Sequence, residues 1–143
     1  MTIQEHRLRI PAIREKVKEA CEFISRLARS AGMNDDAVHR YYLAVEEICT
    51  NIIEHGYSQV DYGDQQPVID LVCRQYPDRL IVTILDDAIP FNPLERAEPD
   101  PAAALEEREG GGWGIFFVKK YMDRVTYQYT EQRNQLTLEK QIR

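Results

Sequence analysis

No apolar run in this chain is long. The two longest, 80–85 (interrupted by Thr83) and 115–118, fall far short of the ~20 residues needed to cross a bilayer, so neither a membrane span nor a membrane partner is expected. The first residues, Met1-Thr-Ile-Gln-Glu-His6, lack the basic and apolar stretches of a secretory leader. Cysteine is scarce: Cys21, Cys49 and Cys73 are widely spaced, odd in number and form no Cys-x-x-Cys, which reads as reduced, buried thiols in a cytoplasmic protein. Cations are the minority charge. With 18 Lys+Arg against 24 Asp+Glu, the net charge of −6 would be repelled by a phosphate backbone, so no direct nucleic-acid partner is expected. Internal repeats are also missing.

What remains is ordinary globular material. The 143 residues, 43% hydrophobic and 29% charged, suit one domain, 1–143, without a boundary. A chain of this size buries roughly two-thirds of its unfolded surface and needs no disulfide or structural metal. Residues 2–10 read as an edge strand. Pro11 then suits the first turn of a helix, where its missing N–H costs nothing. Ile13, Val17, Ala20, Cys21, Ile24, Leu27, Ala28 and Ala31 recur at helical spacing, and Gly32 ends the pattern. Asn34 caps a second helix, with Asp35 and Asp36 in its first turn. Its apolar stripe of Val38, Tyr41, Tyr42, Val45, Ile48, Cys49 and Ile52 runs to near Gly56.

A polar turn (61–66) leads to strands at 67–75 and 79–86, joined by a hairpin at Tyr76-Pro77-Asp78. Residues 87–112 hold four of the seven prolines and three of the seven glycines and show no apolar period, the composition of a functional lid, about 88–112. A short helix over 113–123 and a hairpin of 125–130 with 135–141, turning at Gln132-Arg133-Asn134, close the chain.

Three segments could carry chemistry. On the second helix, Glu47 and Asn51 are one turn apart and about 40° from each other, away from the apolar stripe. A carboxylate and an amide so placed can serve as a base and a hard-cation ligand, though the same spacing also suits a solvated polar face. Asp86 ends an apolar strand, where a carboxylate needs a donor, either from a ligand amino group or from a backbone turn. The stretch Glu109-Gly110-Gly111-Gly112-Trp113-Gly114 precedes a helix, and such a turn lets backbone amides approach an anion closely; a hinge has the same composition. It is neither a Walker A loop nor a Gly-x-Gly-x-x-Gly fingerprint.

In series the segments are more specific. The string Glu46-Glu47-Ile-Cys-Thr-Asn51-Ile-Ile-Glu-His55-Gly56-Tyr57 resembles the N box of the GHKL ATP-binding fold, and in particular of the anti-sigma-factor serine/threonine kinases of bacterial partner-switching systems. Asp86-Asp87-Ala88-Ile-Pro90-Phe91-Asn92-Pro93 resembles the first glycine box of that group, with Ala88 where Gly is usual and Pro90 where a second Gly is frequent. Gly110–Val118 with Met122-Asp123 resembles the second box, and Asn134–Lys140 the last strand, so the likeness covers about residues 5–141.

The resemblance implies an α/β two-layer sandwich, a mixed, mostly antiparallel sheet covered on one face by helices. It implies a Ser/Thr protein kinase using ATP and Mg²⁺. Glu47 matches the catalytic base and Asn51 the Mg²⁺ ligand. Asp86, beside the small Ala88, matches the carboxylate that accepts from the adenine amino group. Gly110, Gly111, Gly112 and Gly114 match the phosphate turn, and Thr137 a hydroxyl that supports adenine. Of the two cations in 92–109, Arg96 and Arg108, Arg108 is nearer the phosphate turn and could neutralise transition-state charge. The implied partners are an anti-sigma-factor antagonist as substrate and a sigma factor held in alternation with it; the likeness is also compatible with a homodimer. Two other readings compete. One is a nucleotide-binding adaptor that sequesters a partner without phosphotransfer. The other is the catalytic half of a sensor histidine kinase, disfavoured because the chain shows no dimerisation helix with an acceptor histidine.

Overall fold

The computed structural model describes residues 3–95 and 113–143. Strand β1 (Gln4–Pro11) is followed by helices α1 (Arg14–Ser30) and α2 (Asp35–Asn51), and α2 continues into one wide π turn, Ile52–Gly56, and a 3-10 turn, Tyr57–Gln59. Strands β2 (Val68–Gln75) and β3 (Arg79–Asp86), a 3-10 turn at Pro93–Glu95, helix α3 (Trp113–Tyr121) and strands β4 (Arg124–Thr130) and β5 (Arg133–Gln141) complete the described chain.

The caps follow the local sequence. Gly32, at φ +97°, ends α1 in the left-handed region, and the Met33 N–H reaches back to Ala28 O at 3.1 Å. Asn34 caps α2, its side chain accepting from the Ala37 N–H at 2.8 Å. Pro11 behaves differently from its expected place in a first helical turn: it is the last residue of β1, paired with Val68, and α1 begins three residues later. The reason is that β1 is an edge strand, where a residue without an N–H is tolerated as well as at a helix start.

The sheet has the order β1-β2-β3-β5-β4, and each of its four pairings is antiparallel, so the expected mixed sheet is antiparallel throughout the described residues. Strand side chains alternate between faces. Ile69, Leu71 and Cys73 of β2, Leu80, Val82 and Ile84 of β3, and Leu136 and Leu138 of β5 are buried on the helix-covered face. Against them lie Tyr41, Val45 and Ile48 of α2, all essentially without solvent contact. Each such aliphatic side chain contributes about 1.5–3 kcal/mol on burial, far more than a surface ion pair, so this layer fixes where α2 sits. The Tyr41 hydroxyl donates to Leu80 O, satisfying the one polar atom it carries into the core. α2 packs between α1 and α3, so its polar end is flanked on both sides.

The β4–β5 hairpin turns earlier than its sequence suggests. Glu131 and Gln132, at φ 54° and 62°, form a two-residue turn between Thr130 and Arg133, which pair across it. Positive φ at both central positions matches the twist of a hairpin, and it outweighs the mild cost to non-glycine residues. Arg133 and Asn134 therefore belong to β5 rather than to the turn.

The three cysteines are free and buried. Burial pushes the thiols of Cys21 and Cys73 up to about 12, so they remain protonated and inert at neutral pH. Among the described residues no helix is long and apolar enough to cross a membrane.

Candidate functional site

The last turn of α2 brings Glu47 and Asn51 together. The Asn51 Nδ2 donates to Glu47 Oε1 at 3.0 Å, and Asn51 is only 7% exposed. Since the amide nitrogen must face the carboxylate, the amide oxygen is the atom left to meet a cation or water. The spacing of four residues thus yields a coupled pair rather than a solvated polar face.

Gly114, in the first turn of α3, closes on this pair. A Cβ at Gly114 would lie 1.9 Å from Glu47 Cδ and 2.1 and 2.3 Å from its two oxygens. With a side chain at 114, the carboxylate could no longer hold its present position against the start of α3. Arg108, Gly110, Gly111 and Gly112 lie outside the described residues.

Asp86 ends β3 and points to the helix-covered face, where it is 4% exposed. Its Oδ1 accepts from the Ala88 N–H and from Asn134 Nδ2, each at 2.9 Å, while no protein donor among the described residues is directed at Oδ2. Burial raises the Asp86 carboxyl above its usual range; the bonds from Asn134 and Ala88 oppose this, Asp87 adds to it and Arg133 counters. The folded state therefore binds this proton more tightly than the unfolded chain does. Its contribution to stability is full below the ordinary carboxylate range and is lost as pH rises through the raised value. Asp86→Asn keeps an oxygen for both donors. The variant is expected to melt at or above the parental temperature at neutral pH, with the difference shrinking in acid; a thermal melt series from pH 4 to 8 measures it.

Asn51 and Asp86 line one cavity, together with Ile48, Ile52 and Gly56 below, Phe91 and Pro93 above, and Tyr127, Asn134 and Leu136 from the β4–β5 hairpin. A separate, more open depression on the other side of Phe91 is lined by His55, Pro90, Asn92 and Glu95. His55 is exposed with its ring 6.3 Å from Phe91, a packing residue at the rim. Ala88 is buried, its methyl 3.1 Å from where a Cβ on Gly56 would stand, so the glycine makes room for it. Beneath Asp86, the Tyr57 hydroxyl accepts from the Asp87 N–H at 2.8 Å and donates to Val68 O at 2.6 Å, tying the strand end to the turn after α2.

Thr137 is not brought to this cavity. It pairs with Thr83 on the opposite face of the sheet, their hydroxyl oxygens 3.3 Å apart. The residue of β5 in register with Asp86 is Asn134. A strand alternates strictly, so position 137 cannot share a face with 134, 136 and 138. The same alternation is the signal in the sequence that points to Asn134: it continues the Leu136, Leu138 stripe inward, where a polar residue demands a partner.

Asp86 can accept from an amino group, and Asn51 offers an amide oxygen one helix turn from a carboxylate. The cavity between them holds only about 20 Å³, room for roughly one water, so a flat ring would enter only if the segment carrying Phe91 and Pro93 moved outward. Among the described residues there is no cluster of three His, Cys, Asp or Glu side chains. The amide oxygen of Asn51 is a donor that suits Mg²⁺, a hard ion that keeps waters and shares phosphates.

Residues 10–140 match the family described as the histidine kinase-like ATPase domain, and the chain belongs to it. Among its relatives are proteins named serine-protein kinase RsbW. That of Listeria monocytogenes serotype 4a is 30% identical over 128 residues, covering 87% of this chain and 79% of the relative. That of Bacillus thuringiensis subsp. konkukian is 28% identical over 128 residues, covering 87% and 77%. The protein of Halalkalibacterium halodurans is 26% identical over 125 residues, covering 81% and 70%.

Proposed function

We propose that the chain, as a single domain, is a Mg²⁺-ATP-dependent serine/threonine protein kinase. Its substrate in this reading is a small anti-sigma-factor antagonist, with a sigma factor as the competing partner. The observation that carries this reading is the meeting of Asn51 and Asp86 on the walls of one cavity, with Glu47 bonded to Asn51 beside it. Similarity to several proteins named serine-protein kinases supports the same conclusion.

In this reading bound Mg²⁺-ATP supplies the phosphoryl group. Asn51 would hold the metal through its amide oxygen, and Asp86 would accept from the adenine amino group through Oδ2, which has no donor among the described residues. Glu47 accepts the proton of the attacking hydroxyl, a role worth about 10²–10⁴-fold in rate. Gly110, Gly111, Gly112 and Gly114 provide amides to the phosphates, and Arg108 neutralises developing charge. A phosphate gained by the antagonist adds about two negative charges, which would expel it from a chain with a net charge of −6.

Calorimetry of the purified protein tests the nucleotide reading: Mg²⁺-ATP should bind, and Asn51→Ala should weaken Mg²⁺-ATP much more than metal-free ATP. Equal losses would remove Asn51 as a metal ligand. A pull-down from native cells followed by γ-labelled ATP then separates kinase from sequestering adaptor, since only the kinase leaves label on a partner protein.

A further inference from the structure

The side chain of Asn134 is 4% exposed and engaged at both ends. Its Nδ2 donates to Asp86 Oδ1 at 2.9 Å, to Ile89 O at 3.0 Å and to Ala88 O at 3.2 Å. Its Oδ1 accepts from the Phe91 N–H at 3.1 Å and from the Tyr127 hydroxyl. One carboxamide thus joins the carboxylate at the end of β3, the backbone of three residues that follow it, and the neighbouring strand β4.

Two consequences follow from the chemistry. The terminal torsion of an aspartate is soft and roughly two-fold, so an isolated carboxylate would present either oxygen at many angles. Asn134 Nδ2 and the Ala88 N–H converge on the same oxygen, which restricts rotation of the group and leaves Oδ2 as the oxygen with no donor among the described residues. The second consequence concerns the roof of the cavity. The bonds to residues 88, 89 and 91 set the path of the chain that carries Phe91 and Pro93 over it. A hydroxyl of Ser or Thr, with one hydrogen, could not reach the three acceptors that Nδ2 meets.

We infer that Asn134 is a positioning residue that determines base selectivity: it holds Asp86 as a fixed acceptor and shapes the 88–91 segment, so that the cavity prefers a purine edge carrying an amino donor. This rests on the nucleotide reading above, which assigns Asp86 to the base. Asn134 acts through Asp86 and the backbone, and Tyr127 supports it by donating to the carboxamide oxygen.

The test uses the full chain and compares Mg²⁺-ATP with Mg²⁺-GTP by calorimetry for the parent, Asn134→Leu, Asn134→Ser, Asp86→Ala and the double variant Asp86→Ala/Asn134→Leu. Loss of a buried bond to a charged group predicts that Asn134→Leu weakens ATP about tenfold or more and lowers the ATP-over-GTP ratio toward that of Asp86→Ala. In the double variant the second substitution should change the ratio no further, because both act on one contact. Phosphotransfer should show a raised KM for ATP with kcat largely kept. If Asn134→Leu does not fold, Asn134→Ser carries the same comparison, with a smaller loss of selectivity expected. A lowered melting temperature with the parental ATP-over-GTP ratio would overturn the inference, as would additive losses in the double variant. A parent that ignores both nucleotides would instead remove the reading on which it rests.

Discussion

Glu47→Gln should reduce phosphotransfer by about 10²–10⁴-fold while leaving Mg²⁺-ATP affinity within a few-fold of the parent. The substitution is nearly isosteric. A glutamine oxygen can still accept from Asn51 Nδ2, the bond that now measures 3.0 Å, so the orientation of the amide survives. What is lost is the capacity to take a proton from an acceptor hydroxyl. Single-turnover labelling of a captured partner measures the rate, and calorimetry on the same preparation measures binding. A variant that phosphorylates at the parental rate would show that Glu47 is not the base; one that loses ATP as well would show that the carboxylate belongs to the nucleotide pocket.

Gly114→Ala is the second large effect. The new methyl would overlap the Glu47 carboxylate, whose carbon is 1.9 Å from the Cβ position. Either the carboxylate turns away or the start of α3 lifts off α2. The carboxylate is the far end of a flexible side chain and can turn away at little cost in stability, but a displacement of ~1 Å at a reacting group costs about 10²-fold in rate. The expected result is a fall in kcat of about 10²-fold with a melting temperature close to the parental one. Paired with Glu47→Ala, which vacates the overlapped space, the added methyl should cost little further stability. A Gly114→Ala protein with normal activity would mean that α3 does not rest on Glu47.

Much of this is legible in the sequence because the physics is local. Helical period places Glu47 beside Asn51, Asn34 announces a cap, and the end of an apolar strand makes Asp86 a buried carboxylate in need of donors. What stays hidden depends on pairing between distant strands. Position 137 matches by likeness of motif, yet strand alternation sends it to the far face beside Thr83. Asn134, opposite Asp86, reads as part of a turn because Gln-Arg-Asn composition suits one. The actual reversal uses Glu131 and Gln132, two residues without the glycine that would announce positive φ. Pro11 is ambiguous for a related reason: a missing N–H is equally acceptable at a helix start and on a sheet edge, and only the register with Val68 decides.

The meeting of Ala88 with Gly56 bears on how this sequence can drift. The two backbones leave space for one methyl between them, and here it sits on the strand side. Positions 56 and 88 are therefore not independent letters. A descendant that returned glycine to 88 would open room for alanine at 56, whereas alanine at both would crowd the cavity floor from two directions. Substitutions at these sites should therefore be coupled: with Ala88 in place, a methyl at 56 requires its neighbour to give by a few tenths of an ångström.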